Sequence, residues 1–203
     1  MRSVQNYSRE PAPEEPCCLK LSLTIGLPTG EPSDYVLQYE GKVLAGEDLN
    51  VPVGDMTLHV VDLYRAVLDE MHPIDVLDNI DSGLAHFCEL ISSRSMRFKP
   101  SIARVAGDDI GRVLVLGHLN LQKAYRGRGI GLSAINAACS GLGGNCLIAV
   151  LKAFPTQWEG TAEEGGEAFR RDQAKLVQYY RRALFAPVLG KGFMARSLGS
   201  PMD

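Results

Sequence analysis

Three glycines and two arginines lie close together in the second half of the chain, within the stretch LNLQKAYRGRGIGLSAINAACSGLGGN. The arginines are Arg126 and Arg128, and the glycines are Gly127, Gly129 and Gly131. They fall between an apolar run and a small-residue segment that predicts a helix. The first amides of a helix have no intrahelical partners and lie at the positive end of its dipole. Because glycines let an anion approach those amides, the spacing predicts a phosphate or pyrophosphate site.

The two commoner phosphate-binding loops fit this segment poorly. A P-loop needs a Lys-Ser or Lys-Thr pair after its second glycine, whereas Gly131 is followed by Leu132 and Ser133. The dinucleotide motif GxGxxG does not match Gly-Arg-Gly-Ile-Gly. Two alternatives stay open: a turn that only joins a strand to a helix, and a nucleotide-binding loop that imitates another motif.

Cysteine and histidine do not predict a nucleophile or a metal site. The five cysteines show no CxxC spacing, and the four histidines are scattered. Cys139 and Cys146, which lie near the glycines, are expected to be buried core residues because no activating histidine is evident.

The first half of the chain predicts an antiparallel beginning. Strands are expected at Leu19–Ile25, at Tyr35–Leu44 with an interruption at Gly41, and at Met56–Leu63, the last running into a short helix that reaches Met71. After Pro73, apolar residues at steps of three and four from Leu77 to Ile91 predict one helix that packs on a sheet.

The second half predicts strand, helix, strand, helix, strand. The strands are Val113–Leu121, Cys146–Phe154 and a final edge strand in GKGFMARSL; the helices run from the glycines to about Ser140 and from about Phe169 to Leu184. The GLGGN segment ends the first helix with residues suited to positive φ. An acidic loop covers Thr161–Glu167. This order predicts an α/β layer with one crossover between parallel strands.

Charge is unevenly divided along the chain. Residues 1–111 carry 9 basic and 18 acidic residues, and residues 112–203 carry 12 basic and 6 acidic ones. The basic part is expected to hold an anionic ligand, but not nucleic acid, because aromatic platforms are missing. No apolar run approaches the roughly 20 residues of a membrane span, and no secretory signal is evident, so a cytoplasmic protein is expected.

Two motifs resemble those of the GNAT superfamily of N-acyltransferases. AYRGRGIG resembles its acyl-CoA motif, in which Arg or Gln is followed after two residues by Gly and then, one residue later, by Gly or Ala; Arg126, Gly129 and Gly131 take those places. KLVQYYRRALF resembles a later helix of the family, with Tyr180 and Phe185 on its tyrosine and phenylalanine. The resemblance covers about residues 110–198.

The resemblance implies a fold and a cosubstrate. The fold is α/β (α+β), with a mixed, mostly antiparallel sheet, a central splayed parallel pair and flanking helices, in one domain (17–203) after a flexible tail (1–16). Acetyl-CoA would place its pantetheine arm along the predicted strand end and its pyrophosphate on the glycine segment, and no metal is implied. These cofactor-binding residues are Leu119, Asn120, Leu121, Arg126, Gly127, Arg128, Gly129, Ile130 and Gly131.

The implied activity is direct acetyl transfer to a primary amine within a ternary complex. Tyr180 is the candidate general acid, and Tyr179 is expected to point elsewhere. His118 is a candidate base, its strand parity being opposite to that of Gly117 and Leu119, but a core histidine, a water relay or a carboxylate such as Asp62 stays open.

The acceptor is left open between a small molecule and a protein, with the acidic first part favouring a cationic amine. Trp158 is either a wall of the acceptor site or a loop anchor. Leu184 and Gln173 depart from the family glycine and asparagine of the last helix. A homodimer is left open, and the alternative function is a catalytically inactive CoA-binding sensor or partner module.

Overall fold

The computed structural model describes residues 16–26, 28–78, 82–107 and 109–199. Apart from Pro16, the predicted tail lies outside these residues. The strands are β1 (Cys17–Thr24), β2 (Val36–Ala45), β3 (Val51–Asp62), β4 (Arg112–Leu121), β5 (Ile148–Lys152), β6 (Ala186–Pro187) and β7 (Phe193–Ser197). The helices are α1 (Leu63–Leu68), α2 (Pro73–Asp78), α3 (Ser82–Ala85), α4 (Pro100–Ala106), α5 (Ile130–Leu142) and α6 (Glu167–Arg181).

Within the described ranges, the strands form one sheet in the order β1-β2-β3-β4-β5-β7-β6. All neighbouring strands are antiparallel except β4 and β5, which are parallel. Helix α5 makes the crossover between them. The prediction of a mixed, mostly antiparallel sheet with one parallel pair is therefore confirmed.

The sheet separates two hydrophobic cores. Along β5, Ile148 and Val150 join the core beneath α1–α4, whereas Ala149 and Leu151 join the core beneath α5 and α6. This alternation follows from the two-residue period of a strand, and both sides are apolar because helices cover both faces. We call the two sides the α1–α4 face and the α5–α6 face.

The single helix predicted after Pro73 is wrong. Helix α2 ends at Asp78, α3 covers Ser82–Ala85, and a 3₁₀ helix follows at His86–Leu90. The sequence from Asp78 to Gly83 is rich in turn-forming residues, which favours a break. Leu77 and Phe87 are still buried, and the Phe87 ring packs edge-on against Phe193 of β7, as expected for a segment packed on the sheet. The apolar period reported one buried side rather than one continuous helix.

Glycine was misinterpreted at two places. Strand β2 continues through Gly41, where a Cβ would lie 2.7 Å from Met56 Cγ, so this glycine makes room for packing and does not interrupt the strand. The GLGGN segment contains no positive φ; α5 instead tightens into a 3₁₀ turn at Gly143–Asn145.

The last predicted strand is not an edge strand along its whole length. Ala186 and Pro187 of β6 pair with Ala195 and Met194 of β7 on the side away from β5. Helix α4 was not predicted. None of the helices in the described ranges has the length and apolar character needed to cross a membrane.

Candidate functional site

A bulge in β4 sets the geometry of the site. Thr57 of β3 pairs with His118 and Leu58 with Leu116, so Gly117 is an extra residue in β4. A Cβ on Gly117 would lie 2.9 Å from Thr57 Oγ1, which explains why glycine is required there. Since paired residues of an antiparallel ladder share a face, the bulge turns His118 to the α1–α4 face beside Thr57.

The parallel pair opens just after this bulge. Strands β4 and β5 pair from Val113↔Ile148 to Leu116↔Leu151, and β4 then continues to Leu121 paired with β3. Within the described residues, no strand pairs with the other edge of Gly117–Leu121. Backbone groups on that edge are thus available to a ligand.

A cavity of about 580 Å³ lies beside this opening on the α5–α6 face, and we call it the glycine-loop cavity. Its lining includes Leu119, Leu121, Arg126, Gly127, Gly129, Ile130 and Gly131, together with Phe154, Thr156, Leu176, Tyr179 and Tyr180. The structure thus brings together seven of the nine predicted cofactor-binding residues.

Two of the three glycines have the predicted open space. Gly127 and Gly129 both have φ of 77°, and a Cβ at either would meet no atom within 4 Å. Gly129 is also the N-cap of α5. These two positions therefore need glycine for their backbone conformation and leave room at the helix start for an anion.

Gly131 has a different role from the one predicted. A Cβ there would collide with the hydroxyl oxygen of Tyr179, so this glycine makes room for a side chain of the protein itself. The expectation that Tyr179 points away from the site is wrong, since it lines the glycine-loop cavity. Burial raises the pKa of Tyr179 to about 12, and a hydrogen bond from the Leu132 amide acts in the opposite direction.

The polar residues of the predicted set divide into three groups. Arg126 lines the cavity; its Nε donates to the Leu121 carbonyl at 2.7 Å and its Nη2 to Asn120 Oδ1 at 3.3 Å. Asn120 is thus a partner of Arg126 and does not line the cavity itself. The Arg128 guanidinium lies 5.5 Å from the centroid of the Tyr125 ring and likewise does not line the cavity.

A second cavity, of about 450 Å³, lies on the α1–α4 face, and we call it the histidine cavity. It is lined by His59, His86 and His118 with Thr57, Lys152, Glu159, Glu164 and Tyr180, and by apolar residues that include Leu84, Phe87, Val115 and Phe154. His118 is half-exposed, and its Nε2 lies 3.4 Å from Asp55 Oδ2. His59 is only 4% exposed.

Tyr180 lies where the two cavities meet. It lines both of them, as do Leu119, Phe154 and Thr156. Burial raises the pKa of the Tyr180 hydroxyl, so this group keeps its proton at neutral pH. A tyrosine held protonated between two cavities is able to donate a proton to a leaving group.

The other open alternatives are resolved by geometry. Asp62 caps α1 through the Arg65 amide and pairs with Arg112 at 2.7 Å, at the far end of β4 from His118, so it does not serve the site. Trp158 donates from Nε1 to Asp172 Oδ2 at 3.1 Å and lines neither cavity, which favours the loop anchor.

Cys139 and Cys146 are buried in the core, as predicted. Burial raises the pKa of Cys146 to about 11, which disfavours a thiolate nucleophile. Across the residues that the structure describes, no group of three or more His, Cys, Asp or Glu side chains is placed to hold a metal ion.

Sequence reasoning missed three residues of the site: His59, Lys152 and Tyr179. His59 follows Thr57 by two residues on a predicted strand, so both were expected on one face, but the chain gave no sign that this face holds a cavity. Lys152 ends an apolar strand, which is a detectable signal for a strand end facing a cavity.

The chain was also compared with known proteins. No protein-family model matches it, and no curated protein matches it either. The function is therefore inferred from the residues and their geometry.

Proposed function

We propose that this chain is an acyl-CoA-dependent N-acyltransferase, similar to the GNAT superfamily, that transfers an acetyl group from acetyl-CoA directly to a primary amine. One observation carries the proposal: cavities on opposite faces of the sheet meet at Tyr180, beside the point where β4 and β5 separate. Two substrates entering from opposite faces would react at that junction.

The glycine-loop cavity has the groups that acetyl-CoA requires. The free edge of β4 after Gly117 offers backbone donors and acceptors to the amides of the pantetheine arm, as to an added strand. The amides around Gly127 and Gly129, with Arg126, suit the pyrophosphate. Acetyl-CoA would supply the activated acetyl thioester.

The histidine cavity has the groups that the amine requires. An attacking amine must be neutral, and His118 and His59 are the candidate groups to accept its proton, directly or through water. Tyr180 is the candidate acid for the leaving thiolate, because burial keeps its hydroxyl protonated.

The first test is calorimetric titration of the protein with acetyl-CoA, beside CoA, ATP and NAD. Acetyl-CoA and CoA are expected to bind in preference to ATP and NAD. Gly129→Glu places a carboxylate at the expected phosphate position and should abolish this binding. Gly129→Ala carries the same strain from a positive φ without the charge, and Gly141→Glu adds the charge at the far end of α5, where space is also open. Both controls should keep measurable binding.

Two results would contradict the proposal. Equal binding of acetyl-CoA to the wild type and Gly129→Glu would remove the glycine loop from the site, and preferential binding of ATP or NAD would favour a nucleotide-binding protein. Acetyl-CoA binding without thiol release on any amine of a broad panel would favour the inactive CoA-binding module.

A further inference from the structure

Lys152 places a cation inside the histidine cavity. It is the last residue of β5 and pairs with Phe193 of β7. Its Nζ lies 5.5 Å from the ring centroids of both Phe154 and Phe193. These rings hold the ammonium group at the cavity wall through cation–π contacts.

The carboxylates near Lys152 are engaged elsewhere. Glu89 pairs with Lys191 at 2.9 Å, and Glu164 Oε2 accepts from the Gly160 amide at 3.0 Å. Among the described residues, no carboxylate lies within ion-pair distance of Lys152. Desolvation is the main cause that lowers the pKa of Lys152, against the opposing attraction of Glu89 and Glu164. A partly buried cation without a counter-ion is costly, which suggests a ligand that supplies one.

The rest of the cavity does not suit a polycation. Among its described lining residues, no carboxylate comes from the acidic first part of the chain, so the expectation of a cationic acceptor based on that part has no support at the site. Glu159 and Glu164 are exposed on the loop before α6, where solvent screens their charge. The deeper wall is apolar, formed by Leu84, Phe87 and Val115.

We propose that the acceptor is an α-amino acid with an apolar side chain, whose carboxylate pairs with the ammonium group of Lys152. This inference rests on the proposed function. The amine would lie toward His118 and Tyr180, and the side chain against Leu84 and Phe87. The volume of about 450 Å³ is in the range of small-molecule sites.

The transfer step balances without a further reactant. The neutral amine nitrogen forms a bond to the acetyl carbon, and the carbon–sulfur bond breaks with its electron pair leaving on sulfur. Nitrogen loses one proton to a base, and sulfur gains one from Tyr180, which is reprotonated from solvent. The products are an N-acetyl amino acid and free CoA.

The test compares each amino acid with the amine that lacks its carboxylate: L-phenylalanine with phenethylamine, and L-leucine with 3-methylbutylamine. Thiol release from acetyl-CoA gives kcat/KM, and calorimetry gives binding to the CoA complex. The wild type should prefer the amino acid by roughly 10- to 100-fold, the value of one charge-assisted contact. Lys152→Met should abolish that preference, Lys152→Arg should restore part of it, and Lys191→Met should leave it intact, since Lys191 is exposed and does not line the cavity.

Each other outcome overturns the inference in a distinguishable way. Equal turnover of both members of a pair would overturn it and leave the proposed function standing. Acetyl-CoA binding without binding or acetylation of any amino acid would do the same. Acetylation of Lys152 itself, found by peptide mass spectrometry after incubation with acetyl-CoA alone, would make Lys152 the acceptor. Absence of acetyl-CoA binding would remove the proposed function and the inference with it.

Discussion

Tyr179 and Tyr180 are neighbours on α6 but have different surroundings. The Tyr179 hydroxyl fills the space beside Gly131 at the start of α5, whereas Tyr180 lines both cavities. Their rings contact each other edge-on, with centroids 5.4 Å apart. The first residue therefore supports the glycine loop, and the second is the one placed to act on both substrates.

Replacing Tyr180 by Phe should separate catalysis from binding. The variant keeps the ring and loses the hydroxyl, so the affinity for acetyl-CoA should stay unchanged while kcat falls roughly 100- to 10,000-fold, the range for general acid catalysis. Steady-state kinetics and calorimetry measure the two quantities.

Tyr64→Phe provides the matched control, because Tyr64 is exposed on α1 and lines neither cavity. It should have wild-type kinetics. An unchanged kcat in Tyr180→Phe would show that another group, or solvent, protonates the thiolate.

At the scale of elements, the end of α6 fixes the position of Tyr180. The Phe185 amide donates to the Tyr180 carbonyl at 3.2 Å and the Leu184 amide to the Arg181 carbonyl at 3.0 Å, which together form a Schellman motif. Leu184 takes the left-handed position, with φ of 65°, where glycine is usual. The departure from the family glycine thus leaves the helix end intact and adds backbone strain.

Leu184→Gly should relieve this strain. A left-handed conformation costs a non-glycine residue roughly 1 kcal/mol, and the Leu184 side chain is 48% exposed, so little packing is lost. The free energy of unfolding, measured with a chemical denaturant, should rise by about 0.5–1 kcal/mol.

The same substitution at Leu68 should have the opposite sign. Leu68 is 62% exposed at the end of α1, where glycine costs about 0.5–1 kcal/mol in a helical conformation. A loss of stability in Leu184→Gly similar to that in Leu68→Gly would mean that contacts of the Leu184 side chain outweigh the strain.

The strands were predictable from the sequence because their burial follows local alternation, as in β1 and β4. The bulge at Gly117 was not, since one glycine inside an apolar run does not show that an extra residue enters the ladder. Gln173 donates from Nε2 to the Ala153 carbonyl at 3.1 Å, joining α6 to the end of β5. That contact depends on how a helix packs on a strand, which no local pattern reports.

At the scale of the whole molecule, the sequence predicted the order of elements around the site better than the contents of its cavities. The glycines at 127 and 129 were correctly expected to be open, because their purpose is local. Charge along the chain did not predict the histidine cavity, since its charged lining residues Lys152, Glu159 and Glu164 all come from the second part. Tertiary packing, and not composition, decides which charges meet.

One core should make the molecule sensitive to alkaline pH. Cys146 and Tyr179 both pack in the core beneath α5 and α6, and burial raises their pKa values to about 11 and about 12. Below about pH 9 both groups are protonated in the folded and the unfolded chain, so they add no pH dependence. Above it the unfolded chain loses these protons first, and the free energy of unfolding should fall.

The expected loss from Cys146 is up to about 2–3 kcal/mol between pH 9 and 11, since one pKa unit corresponds to about 1.4 kcal/mol. Lys152, whose pKa desolvation lowers, acts with the opposite sign, so the comparison must be between variants. Denaturant titrations across this range should show a smaller slope against pH in Cys146→Ala than in the wild type, whatever the cost of the cavity at a single pH. Equal slopes would mean that water reaches the Cys146 thiol and that this core opens before the chain unfolds.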